Sequence, residues 1–153
     1  MSRTIIVYES KYGNTRLVAE KIAERVREVP GTEVSLKELK GLDPNELDRF
    51  DAILVGSPNH MGNATRGIRK LIDRLGELKA EGKSIAVFDT CLAGDYEKAV
   101  KKMERQIERK APELKILAPG LSIRVEGMKG PIREGELPKS REFGDKIASR
   151  LEP

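Results

Sequence analysis

Five short apolar runs, Thr4–Glu9, Glu33–Leu36, Ala52–Ser57, Ser84–Thr90 and Leu121–Val125, alternate with segments whose apolar residues recur at helical spacing. Val18, Ile22, Val26 and Val29 share one helical face, as do Ile68, Leu71, Ile72 and Leu75, then Val100, Met103 and Ile107, and finally Phe143, Ile147 and Leu151. Parallel neighbours need a crossover, and a helix supplies one, so the alternation predicts a parallel sheet with helices on both faces, an α/β three-layer sandwich. Right-handed crossovers allow the five-stranded order 2-1-3-4-5, which opens a crevice at the carboxyl ends of strands one, three and four. Asp43-Pro44-Asn45-Glu46 reads as a capped single helical turn, so the second crossover holds at most a short helix. Ile116-Leu117-Ala118 can also be read as strand, interrupted by Pro119. Nothing divides the 153 residues by composition, and the expectation is one domain over 1–153.

Several function classes fall away on residue counts. The chain from Met1 to Tyr12 has only a five-residue apolar run, and no segment approaches eighteen apolar residues, so the expectation is a cytoplasmic protein without membrane attachment. One cysteine, Cys91, leaves no disulfide framework, and with the lone His60 it makes a metal centre unexpected. The formal charge of +4 would suit an acidic partner or nucleic acid, yet Lys and Arg alternate with Glu and aromatics are only 4%, so no nucleic-acid partner is expected. Charged residues at 35% beside a single glutamine, Gln106, match the ion-pair-rich balance of proteins that work hot.

The predicted crevice gathers three loops. The first, Ser10-Lys11-Tyr12-Gly13-Asn14-Thr15, lies between a buried strand and an amphipathic helix, whose unpaired N–H groups suit an anion. Ser10, Asn14 and Thr15 can add side-chain donors, and Gly13 lets the backbone approach closely. The chain contains neither G-x-x-x-x-G-K-[ST] nor G-x-G-x-x-G, which turns the expectation from a triphosphate or dinucleotide to a single terminal phosphate, as in FMN. The second loop runs from Gly56 to Thr65 and the third from Asp89 to Tyr96.

On these residues the chain resembles the flavodoxins over nearly its whole length. Ser10 to Thr15 is similar to that family's FMN phosphate loop, Met61-Gly62-Asn63 to the loop laid against the flavin N5 edge, and Phe88 to Asp95 to the later flavin loop. The resemblance implies a flavodoxin-like fold and a noncovalently bound FMN. It also implies transfer of single electrons between redox proteins, ferredoxin-like or reductase, by a monomer or weak dimer with no catalytic residue and no metal. Its implied cofactor contacts are Ser10, Lys11, Tyr12, Gly13, Asn14 and Thr15, then Ser57, Pro58, Asn59, His60, Met61, Gly62 and Asn63, then Thr90, Cys91, Leu92, Gly94 and Asp95. Glycine at 62 lets a peptide turn its carbonyl inward, where it can accept a hydrogen bond from N5–H of a one-electron-reduced flavin. Ala93 departs from the family, which often stacks an aromatic residue there; such a platform is typically worth about 1–3 kcal/mol. An uncovered ring would admit a nicotinamide or quinone, so an FMN-dependent oxidoreductase of the NAD(P)H, quinone or porphyrinogen dehydrogenase type stands as the alternative. A receiver domain of the same topology would need acidic residues where Glu9-Ser10 and Gly56-Ser57-Pro58 occur.

Overall fold

The computed structural model describes residues 2–151. Strand β1 (Ser2–Tyr8) is paired with β2 (Thr32–Glu38) on one side and β3 (Ala52–Pro58) on the other, all parallel. β4 (Ser84–Cys91) continues the sheet, and its far edge carries both β5 (Lys115–Ile116) and β6 (Leu121–Arg124). The order is therefore 2-1-3-4-5 as expected, with a sixth strand where one was predicted to be the last.

The extra strand is a break in that edge. β5 pairs with Ser84 and Ile85, β6 with Phe88 to Cys91, and Pro119 has no N–H to give between them. A Cβ on Gly120 would lie 2.7 Å from Val100 Cβ, so the chain hugs the neighbouring helix there, and the Gly120 N–H donates to Glu104 Oε2 at 3.1 Å.

Helices α1 (Asn14–Arg27) and α4 (Leu137–Arg150) cover one face, α2 (Arg66–Leu75) and α3 (Lys98–Lys110) the other. Side chains alternate between faces along each strand: Ile5, Val7, Ile53, Val55, Ile85 and Val87 meet α2 and α3, while Ile6, Leu54, Ala86 and Phe88 meet α1 and α4. Both faces are buried, which is why these strands read as continuous apolar runs. Each fully buried Ile, Leu or Phe contributes roughly 1.5–3 kcal/mol. Val29 and Leu151 lie just past the ends of α1 and α4, half-buried, instead of within the helices. The second crossover holds only 3-10 turns; the Pro44–Arg49 turn is closed by a capping box in which Asn45 N–H donates to Asp43 Oδ1 and Asp43 N–H to Glu46 Oε1, both at 3.0 Å. Among the described residues no helix is long and apolar enough to cross a membrane. The packing holds the carboxyl ends of β1, β3 and β4 level, and their loops surround one cleft.

Candidate functional site

The cleft measures about 470 Å³ and is lined by Ser10, Lys11, Tyr12, Asn14 and Thr15, by Pro58, Asn59, His60 and Met61, and by Thr90, Cys91, Leu92 and Asp95. Thirteen of the expected contacts therefore share one wall. Val125 and Met128 complete it.

Its polar end is the loop after β1. Gly13 takes φ 92° as the cap of α1, a conformation that costs L side chains about 1–2 kcal/mol. The N–H groups of Gly13 and Arg16 both donate to Ser10 Oγ, at 3.1 and 3.3 Å, so the loop is folded around that hydroxyl and the hydroxyl keeps its own proton to give. The amides of Lys11, Tyr12, Asn14 and Thr15 donate to no acceptor among the described residues. With the positive end of α1 behind them and the Lys11 ammonium in front, they form a nest for an anion. Thr15 Oγ1 sits 2.9 Å from Thr90 Oγ1, tying this loop to the end of β4.

The middle loop is a tight hairpin. His60 and Asn63 exchange backbone hydrogen bonds of 2.7 and 3.1 Å, and the two residues between them both have positive φ, 53° for Met61 and 84° for Gly62, as a type I′ turn requires. Met61 stands at the tip, 99% exposed. Gly62 N–H donates to Asn59 Oδ1 at 2.7 Å and Asn59 N–H to Thr90 O at 2.8 Å, so the central Met61–Gly62 peptide is held by Asn59 and the hairpin is pinned to β4. Ser57 is buried beneath the cleft: its Oγ receives the Thr65 N–H at 2.9 Å and donates to Pro58 O. Gly13, Gly62, Asn63 and Gly94 likewise lie off the wall and act on loop shape.

The third loop brings Leu92 to the wall, whereas Ala93 is exposed and off it. Tyr96 does not replace the missing aromatic. Its ring is flanked by Arg124 at 4.9 Å and Lys139 at 5.0 Å. Glu136 anchors both cations: Arg124 Nε donates to it at 2.8 Å and Lys139 Nζ lies 2.9 Å away. Burial opposes ionisation of Glu136, but these partners outweigh it and hold its carboxyl at about 2. The same anchor steadies the segment 125–136, which an isolated bridge between Val125 and Ile132 folds back so that Met128 reaches the cleft. Local motifs could not reveal Val125 and Met128, because only the pairing of β6 with β4 brings them there.

Two ionisable groups lie at the base of the slot, Cys91 on its wall and Asp89 wholly buried beneath it. Burial pushes the Cys91 thiol up to about 11, which argues against a thiolate role at neutral pH. Burial likewise raises Asp89 to about 7. No group of three or more His, Cys, Asp or Glu among the described residues can hold a metal ion. The site is thus an anion nest joined to a largely apolar slot, a size suited to a phosphorylated planar ligand.

Comparison with known proteins follows the same lines. Residues 5–125 match the sequence profile of the family described as flavodoxin domain. The chain is 34% identical over 106 residues to an NAD(P)H dehydrogenase (quinone) of Chromohalobacter salexigens, a match covering 56% of this chain and 53% of that protein. It is 33% identical over 93 residues to a flavodoxin of Aquifex aeolicus, covering 59% and 50%. The chain spans about half the length of these curated relatives. In three dimensions it superposes on oxidised Flavodoxin 1 of Bacillus cereus with a TM-score of 0.82 at 21% identity, over 99% of this chain and all of the other, a likeness of fold.

Proposed function

This chain belongs to the flavodoxin family, and from that premise we propose that it is an electron carrier, a single domain holding one FMN in the cleft and passing single electrons between redox proteins in the cytoplasm. The observation that carries the proposal is the join of unpartnered amides at Lys11, Tyr12, Asn14 and Thr15 to an apolar slot. A terminal phosphate suits the first and a planar ring the second. Hydrogen bonds to a charged group contribute roughly 1.5–3 kcal/mol each, so four converging amides hold a phosphate without a metal.

FMN, when bound, supplies the electron chemistry; the chain supplies position and surroundings. Ser10, Asn14 and the loop amides grip the tail, and Lys11 adds positive charge. Pro58, Asn59, His60 and Met61, together with Thr90, Cys91, Leu92 and Asp95, would hold the ring in the slot that they line. Met61, Leu92 and Met128 are soft apolar groups in place of an aromatic platform, which favours moderate ring affinity and an accessible edge. Turning the Met61–Gly62 or the Gly62–Asn63 peptide toward the ring means releasing the hydrogen bond to Asn59 Oδ1 or to His60 O, so these two bonds set the cost of that movement. No nucleic acid or membrane takes part, and the carrier is a monomer or weak dimer. The ion pairs spread over its helices fit a protein melting above the usual mesophile range of about 45–65 °C.

Titration of the purified protein with FMN and with riboflavin tests the reading. Saturable FMN uptake at equimolar ratio, with riboflavin bound at least tenfold more weakly, is expected; no uptake of either defeats it. Two observations favour a second reading: the third loop offers no aromatic lid, since Ala93 is exposed and off the wall, and the relative named NAD(P)H dehydrogenase (quinone) shares a third of its aligned residues. Steady turnover of NAD(P)H with a quinone would identify an oxidoreductase instead of a carrier.

A further inference from the structure

Asp89 is wholly buried, two residues from the end of β4, while the next two residues, Thr90 and Cys91, face the cleft. Its carboxyl has no cation among the described residues. Ser122 Oγ donates to Oδ1 at 2.6 Å, and Val100 N–H, in the first turn of α3, donates to Oδ2 at 3.3 Å. Ser122 Oγ also receives the Glu97 N–H at 3.0 Å and lies 3.3 Å from Cys91 Sγ. Carboxyl, hydroxyl and thiol thus form a hydrogen-bonded line from the interior to the cleft wall.

The groups around Asp89 can be named element by element. On its own strand the titratable neighbour is Cys91; on β3 its register partner is the neutral Ser57; β6 offers the Ser122 hydroxyl and the Ile123 amide; α3 offers the Val100 amide. A buried carboxylate normally keeps its charge by pairing with Lys or Arg. Here only neutral dipoles and one helix end face it, and burial carries its titration to about 7. Small changes of charge nearby therefore decide whether it holds a proton.

We propose that Asp89 is a redox-linked proton site beneath the cleft, taking up one proton when an electron arrives above it and releasing that proton when the electron leaves. The electron comes from a redox partner protein by way of the FMN of the proposed function, on which this inference rests. The proton comes from solvent water by way of the cleft, Cys91 and Ser122; the bond formed is one O–H on the carboxyl, and it breaks again on reoxidation. Two residues along a strand span about 7 Å, so a unit charge in the cleft acts over roughly 10 Å. At that range, in the interior of a protein, it raises the proton affinity of Asp89 about tenfold.

Two measurements test it. In the cofactor-free protein, carbon-13 carboxyl NMR should show a group titrating near pH 7 that disappears in Asp89→Asn; a value near the ordinary 4 for Asp89 overturns the proposal. In the FMN-loaded protein, the midpoint potential followed from pH 5 to 9 should bend near pH 7 to 8, and Asp89→Asn should remove that bend; identical profiles also overturn it. Ser122→Ala, which removes the 2.6 Å bond, should move the bend to higher pH without abolishing it, and no movement counts against the line of contacts. A protein that takes up no FMN defeats the functional reading, whereas a yellow protein with superimposable profiles defeats only this one. If Asp89→Asn does not fold, the wild-type NMR titration decides alone.

Discussion

The two ends of the cleft are made by opposite means. The phosphate end is six consecutive residues folded around one hydroxyl, with its donors supplied by backbone and its orientation by the start of α1. The ring end is assembled from three distant segments whose most exposed members are Met61, at 99%, and Met128, at 76%, with Asp89 and Ser122 packed below. A contiguous polar nest can be replaced only as a whole, so it fixes what binds. A wall of separate apolar side chains can change one residue at a time, so it is where affinity and redox behaviour are adjusted.

The sharpest way to break this contrast is pH. Asp89 is raised in the folded state, so its protonated form favours folding: stability is full below about pH 4 and is lost as pH rises through about 7, by up to about 4 kcal/mol. Glu136 is lowered, so its contribution is full above the ordinary Glu value of 4.5 and is lost as pH falls through about 2, by about 3 kcal/mol. The two slopes have opposite signs, and chemical denaturation between pH 2 and 8 should place the maximum near pH 4 to 5. In Asp89→Asn the alkaline slope should vanish. A flat profile in the wild type would remove the claim that the floor of the ring end is strained by burial.

Glu136→Gln comes next, expected to destabilise the protein by about 3 kcal/mol at neutral pH because it removes the buried carboxylate that holds the half-exposed Arg124 and Lys139. It should loosen the ring end first, so riboflavin affinity should fall at temperatures where the fold is intact. Gly13→Val strains the nest at φ 92° and should weaken FMN binding about 100-fold, near 2.7 kcal/mol, with riboflavin binding unchanged. An equal loss for both ligands would erase the distinction between the two ends. Met128→Ala is the smallest, an expected fivefold loss for both FMN and riboflavin, about 1 kcal/mol, read by fluorescence titration.

The same division explains what could be seen in the sequence. Apolar alternation exposed the strands because both sheet faces are buried, and the helices because their stripes pack on that sheet. The nest was legible because its chemistry is contiguous. The place of Ser57 beneath the cleft is not legible in the sequence, because a polar residue ending a strand can face the cleft or close the turn, and here the Thr65 amide holds it to the turn. Met128 was invisible because its position depends on where β6 pairs and on the Val125–Ile132 bridge, both set by residues far along the chain. Asp89 could be read as the end of an apolar run but not as a cation-free carboxyl, since that depends on what α3 and β6 bring to it.

The interrupted edge beside β4 has a bearing on life in a crowded solution. β5 is two residues and β6 four, with Pro119 and Gly120 between them, so the outer border of the sheet never presents a long straight row of free amides to another molecule. A copy approaching that flank finds a broken template, and growth from that side of the sheet has no continuous strand from which to start.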